Sequence, residues 1–182
     1  MNLLGENTRM KKWIGLLTII AIAATSSKAH AICNVKYNEQ GQSVAVLGKK
    51  YPRASMRTYK MKGVKYTPIH NAQGYKDIGQ ASWYGRPFHG RKTANGETYN
   101  MFKFTAAHPT LPIPSCVKVT NLQNGKTIVV RVNDRGPYRS DLGTDTSNRI
   151  IDLSLKAAVA LGFRKQGVTD VKIEVLPTEI LH

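Results

Sequence analysis

The chain has 182 residues and a formal net charge of +16, from 27 lysines and arginines against 11 aspartates and glutamates. That length suits one domain, and after the first thirty or so residues no apolar run is long enough to span a membrane. The charge favours a polyanionic partner.

The N-terminus reads as an address. Met10-Lys11-Lys12 supplies a basic n-region, and Trp13 to Ala24 is an apolar run too short to cross a bilayer comfortably. Ala29-His30-Ala31 fits a small-x-small cleavage site, so residues 1–31 are expected to be a secretory signal peptide cut after Ala31. The mature chain then keeps 23 basic and 10 acidic residues, a net +13. Outside the inner membrane the abundant polyanions are peptidoglycan, through its peptide carboxylates, and anionic lipid; the expected location is periplasmic or secreted.

Two cysteines are present, Cys33 and Cys116. In an oxidising compartment they can pair; two free thiols, or a lipid on Cys33, are the alternatives. A lipoprotein signal places a small residue just before the cysteine, and Ile32 is not small.

Residues 32–78 are basic and weakly periodic, and read as an arm packed on the next domain, with a hairpin over Tyr59 to Tyr66 turning at Gly63. Residues 79–178 read as that domain. Gln80 to Tyr84 is predicted as a short strand. Val117 to Leu122 and Thr127 to Val132 are two more, joined through Gln123-Asn124-Gly125-Lys126, where Asn-Gly is a hairpin signal. Arg149 to Leu153 is another strand. Ser154 caps a helix through Leu161 that stops at Gly162. Val168 to Leu176 is the last strand, before Pro177. Many short strands with turn signals and one helix predict a mainly β, closed barrel.

Asp134 leads the residues that carry chemistry. In a regular strand Ile128, Val130, Val132 and Asp134 share one face, and Arg131, Asn133 and Arg135 the other. Asp134 thus ends an apolar row just before Gly136-Pro137. A partly desolvated carboxyl group holds its proton to higher pH, which suits a general acid; a structural Asp paired with an arginine is the competing reading. Asn95-Gly96-Glu97 is a turn presenting a carboxylate. His108, before Pro109, sits at a strand end, where it can shuttle protons or orient a carboxylate. Asp152 is expected to hold the strand-to-helix junction. Trp83, Tyr84, Phe88 and Tyr138 offer ring faces to a sugar, Tyr84 and Tyr138 being the better cleft candidates and Trp83 a core residue. His70, His89, His108 and His182 are scattered, which predicts no metal site. No nucleophile elbow or phosphate-cradling glycine motif occurs.

Taken together, Ala81-Ser82-Trp83-Tyr84-Gly85, Thr93-Ala94-Asn95-Gly96-Glu97, Thr105-Ala106-Ala107-His108, Arg131-Val132-Asn133-Asp134-Arg135-Gly136-Pro137 and Arg149-Ile150-Ile151-Asp152-Leu153-Ser154 resemble the rare lipoprotein A family of septal-ring lytic transglycosylases. The resemblance runs from about Arg57 to Leu161. It implies a six-stranded double-psi β-barrel, Asp134 as the catalytic aspartate, and Glu97 and His108 as further residues needed for activity. Tyr84, Tyr138, Asn133 and Arg135 are the expected substrate contacts. It implies cleavage of the glycosidic bond between N-acetylmuramic acid and N-acetylglucosamine to leave a 1,6-anhydro end. No cofactor and no nucleic acid are expected, and the protein is expected to be a monomer. Asn100 stands where many members have Asp, and Ser140 to Ser147 form a longer insert. A non-catalytic wall-binding module and a secreted interaction protein on the same barrel are the alternatives, because a fold does not dictate its function.

Overall fold

The computed structural model describes residues 33–37, 43–47, 53–138 and 148–180. The expected signal peptide of residues 1–31 and the insert from Ser140 to Ser147 lie outside them.

Six strands close the barrel: β5 (Lys76–Tyr84), β6 (Thr105–Ala107), β7 (Ser115–Asn121), β8 (Thr127–Asp134), β9 (Arg149–Ser154) and β10 (Thr169–Val175). Their order around the wall is β10-β5-β9-β6-β8-β7. β5 runs parallel to β9 and β6 parallel to β8, while the other four pairings are antiparallel. Neighbours in this wall are therefore often far apart in sequence. Closure removes the unpaired edges that an open sheet would present.

Alternation does what the strand periodicity predicts. Val117 and Val119 on β7, Val130 and Val132 on β8, and Val171 and Ile173 on β10 are fully buried in one core with Leu153 and Phe163. The helix α1 (Leu155–Leu161) packs against β5, β8 and β9. Ser154 Oγ accepts from Ala157 N at its start, and Gly162 stops it in the left-handed region (φ 81°). The last carbonyl is not left bare: Asn121 and Asn124 both donate Nδ2 to Leu161 O. Asn124, read in the sequence as a turn residue, therefore also ties the β7–β8 turn to the helix.

Two differences from the predicted elements have physical causes. β5 starts at Lys76 rather than Gln80, because its first residues pair with β10 while Ile78 faces solvent, which breaks the apolar pattern. The register then shifts between Gln80 and Ala81. A Cβ at Gly79 would stand 2.8 Å from the Asn148 carbonyl, so only glycine permits this approach of chain to chain. The second difference is β6, too short and too rich in alanine to announce itself.

Outside the barrel, β1 (Asn34–Tyr37), β2 (Ser43–Leu47) and β11 (Thr178–Ile180) form a three-stranded sheet in the order β1-β2-β11. A disulfide joins Cys33, just before β1, to Cys116 on β7. With its Sγ taken, Cys33 has none left for a lipid. β3 (Tyr59–Met61) and β4 (Val64–Tyr66) make a hairpin whose turn residues Lys62 and Gly63 both have positive φ (49° and 83°). This is the two-residue turn that suits strand twist. The hairpin packs on the barrel through a Tyr59 hydroxyl that donates to Pro109 O at 2.7 Å.

Candidate active site

At the end of β8 the apolar row Val130, Val132 gives way to Asp134. Its Oδ1 accepts two backbone N–H groups, from Ala94 at 2.9 Å and Arg135 at 2.8 Å. Among the described residues Oδ2 has no hydrogen-bond partner and no basic side chain forms an ion pair with the group. Oδ2 is therefore the oxygen free to carry or deliver a proton. Burial raises the Asp134 pKa above the ordinary aspartate value, against the opposing pull of the two N–H groups and of the Arg135 charge.

Asp134 opens into a groove of ≈ 250 Å³ whose lining includes Lys62, Tyr84, Phe88, Gly136, Tyr138 and Asp152. Two other hollows of ≈ 230 and ≈ 590 Å³ contain no carboxyl group. The floor of the groove is Ala107, which pairs with Asp134 on β8 on one side and with Asp152 on β9 on the other. The two aspartates thus flank a methyl group across three adjacent strands, with Cα atoms about 9–10 Å apart by strand spacing.

Asp152 does not hold the strand-to-helix junction, which Ser154 does. Its Oδ1 accepts from the Ser82 hydroxyl and lies 3.7 Å from Arg149 Nη1. Burial raises its pKa too, countered by Ser82 and Arg149. The sequence contains its alternation with Ile150, but not the strand that becomes its neighbour.

Glu97 stands beside this groove, not in its lining. Oε1 accepts from Arg131 and from Asn95 Nδ2, and Oε2 accepts from Asn133 Nδ2 at 2.8 Å. Burial pulls its pKa up, but the bonds from Asn133, Asn95 and Arg131 prevail and hold it below the ordinary glutamate value. Glu97 is an anion that latches the Thr93–Glu97 turn onto β8. The same turn, closed by Thr93 N to Glu97 O at 2.8 Å, delivers the Ala94 N–H to Asp134.

His108 is not placed to move protons in the groove. It is 2% exposed, and its Nδ1 accepts from Thr110 N and Leu111 N at 3.1 and 3.0 Å. Burial first, and then the Arg135 charge, push its pKa down to about 3, so the ring is neutral. Its place is to organise the turn after β6. His108→Ala leaves two inward N–H groups without an acceptor and is expected to cost about 2–5 kcal/mol. Denaturant unfolding measures this, and His108→Asn, which keeps an acceptor, should recover part of the loss.

Asn133 and Arg135 are both engaged by protein partners. Arg135 borders the groove, while its guanidinium donates to the carbonyls of Ser55, His108 and Leu111, which ties the arm to the barrel. Asn133 is 2% exposed and serves Glu97. Tyr84 and Tyr138 do line the groove. The Tyr84 ring stacks on Tyr99 with centroids 4.3 Å apart, and its buried hydroxyl faces Thr105 Oγ1 without reaching hydrogen-bond geometry. Tyr138 packs edge-on against Tyr59 and Tyr66 of the hairpin. Trp83 is half-buried, packs against the core and borders a different hollow, with Nε1 donating to Arg164 O. Asn100 Oδ1 accepts from Phe102 N, a turn that Asp makes equally well. Among the described residues no three His, Cys, Asp or Glu side chains converge in a metal-binding group.

The sequence model of the family described as lytic transglycolase matches residues 76–173, more than half of the chain and nearly the whole barrel. The chain is 53% identical over 129 residues to an endolytic peptidoglycan transglycosylase RlpA of Neisseria meningitidis serogroup B, covering 71% of this chain and 51% of that protein. It is 53% identical over 116 residues to the protein of that name from Pseudomonas aeruginosa strain PAO1, covering 64% and 32%. It is 49% identical over 129 residues to the one from Vibrio cholerae, covering 71% and 46%. The chain thus spans about half or less of the length of these relatives.

Proposed function

Because the chain belongs to the lytic transglycolase family, we propose that its groove cuts the glycan strands of peptidoglycan and that Asp134 is the acid. The observation that carries this is the Asp134 carboxyl group: Oδ1 fixed by two N–H groups, Oδ2 unbonded, the whole partly desolvated at the mouth of a groove. The protonated carboxyl group donates to the oxygen linking N-acetylmuramic acid to N-acetylglucosamine as the C1–O bond breaks. The C6 hydroxyl oxygen of the same sugar attacks C1 and closes a 1,6-anhydro ring. The nucleophile is already tethered to the reacting carbon, so no enzyme nucleophile is needed. The Tyr84, Phe88 and Tyr138 rings support sugar faces along the groove.

Glu97 acts at one remove, through the turn that carries the Ala94 N–H, and is a positioning residue. Glu97→Ala removes the latch. Loss of the N–H bond to the Asp134 carboxylate weakens its charged form, so the pH at which activity falls on the alkaline side should move upward. The pH–rate profile of the variant measures this; an unmoved limb would show that Glu97 does not act through Asp134.

The reading extends to the chain's organisation: a leader to Ala31, an arm over 32–78 and a barrel over 79–178, exported to the cell envelope and working as a monomer without a cofactor. Its basic surface suits a carboxylate-bearing polymer better than a neutral one. Incubating the purified protein with sacculi and analysing the soluble products by mass spectrometry tests the activity. Release of 1,6-anhydro-muropeptides supports it. Salt-sensitive sacculus binding with no soluble product would instead establish a binding module.

A further inference from the structure

Asp152 is the one groove carboxyl group that the cleavage described above does not use. We propose that Asp152 is the base of the reaction, taking the proton from the attacking C6 hydroxyl while Asp134 protonates the leaving oxygen; this rests on the reading of the groove as a glycan-cutting site.

Three features separate the two aspartates by role. The first is position. Asp134 and Asp152 lie on β8 and β9, either side of Ala107 on the intervening β6, and both line the same groove. A sugar lying over the Ala107 methyl group would have one carboxyl group near each end of its reacting centre. The spacing leaves room for a nucleophile between acid and base. The second is charge. Asp134 accepts backbone N–H groups and feels the Arg135 charge without an ion pair, whereas Asp152 Oδ1 takes the Ser82 hydroxyl and has the Arg149 guanidinium 3.7 Å away. A neighbouring cation favours the ionised form, which a base requires. The third is access. Gly136 lines the groove, and a Cβ there would stand in ordinary contact with Asp152 Oδ2 at 3.6 Å, so this oxygen lies beside the groove. Among the described residues, Oδ2 accepts no hydrogen bond.

The step balances. The C1–O bond to the leaving sugar breaks and its oxygen takes the Asp134 proton. The O6–C1 bond forms and the O6 proton passes to Asp152. Solvent exchange then returns Asp134 to its acid form and Asp152 to its anion. The charged or titratable groups around Asp152 in the groove are Arg149 on its own strand, Asp134 from β8, Arg135 just after β8, Lys62 from the hairpin turn, and the Tyr84 and Tyr138 phenols.

The test is the pH–rate profile for release of 1,6-anhydro products from sacculi, for the wild type, Asp152→Asn and Ser82→Ala, with sacculus binding measured in parallel. A base must be deprotonated to act, so Asp152 ionisation sets the acid-side rise of the wild-type profile. Asp152→Asn should lower the rate about 10²–10⁴-fold, flatten the acid-side rise and leave binding unchanged. Should that variant fail to fold, Ser82→Ala decides. Removing the hydroxyl takes a hydrogen bond from the Asp152 carboxylate, so the acid-side rise should move to higher pH while the alkaline fall stays in place. An active wild type with a Ser82→Ala profile that does not move, or an Asp152→Asn rate above about a tenth of wild type, overturns the assignment of Asp152 alone. A wild type that binds sacculi and releases no anhydro product overturns the glycan-cutting reading, and the base with it.

Discussion

Asp134→Asn is expected to lower the release of 1,6-anhydro ends by about 10²–10⁴-fold, the usual contribution of a positioned general acid, without unfolding the protein. The amide keeps an oxygen for the Ala94 and Arg135 N–H groups and differs from the acid only at the atom facing the groove. It should also stabilise the fold. Burial raises the Asp134 pKa in the native state, so the native form binds the proton more strongly than the unfolded chain does. The stabilisation that protonation gives is complete below the ordinary aspartate value of 3.8. It is lost as pH rises through the higher native value. At neutral pH the wild type therefore carries a partly desolvated anion that the amide does not, and the thermal midpoint of the variant should equal or exceed that of the wild type. Activity should fall over the same window in which the carboxyl group ionises. A variant with near-wild-type turnover would remove Asp134 from the chemistry. An inactive variant with a much lower midpoint would make the residue structural.

Loss of the Cys33–Cys116 disulfide is expected to have the largest effect on stability. The two cysteines are 83 residues apart, and opening a loop of that length restores chain entropy to the unfolded state worth about 4–5 kcal/mol. For a chain of this size that corresponds to a fall of about 10–20 °C in the thermal midpoint. The double variant Cys33→Ala, Cys116→Ala is the appropriate test, because both sulfurs are shielded from a reductant: the residues are 5% and 0% exposed. Neither cysteine lines the groove, so activity measured well below the midpoint should survive. A fall of only a degree or two would mean that the arm and the barrel hold together without the link.

These two results bear on different layers of the molecule. The disulfide fastens the N-terminal segment to β7, while Arg135, whose guanidinium serves the Ser55, His108 and Leu111 carbonyls, fastens it beside the groove. The hairpin that this arrangement supports brings Lys62 to the groove and packs Tyr59 and Tyr66 against Tyr138. The arm thus contributes Lys62 to the groove lining and backs the Tyr138 ring from behind.

The residues that could be interpreted from sequence were those whose behaviour is local. Ser154 and Gly162 bound a helix because a cap and a left-handed stop act within one turn. The Ile128–Val132 row ends at Asp134 because strand alternation is a property of one strand, so the carboxyl group's place at the end of an apolar row is local. Other features depended on which strands became neighbours, and no local pattern encodes that. Asp152 looked like a junction residue until closure of the barrel placed β6 between it and Asp134. His108 carries a polar side chain suited to a cleft, yet its ring is buried and its Nδ1 serves the turn after β6, while the Arg135 guanidinium at the groove's edge is taken up by carbonyls of that turn and of the arm. Asn133 and Glu97 found each other across 36 residues. The sequence by itself determined a mainly β chain and a carboxyl group at the end of β8; only the tertiary structure decided which polar groups meet the groove, because burial and pairing between distant strands are set by the closed wall as a whole.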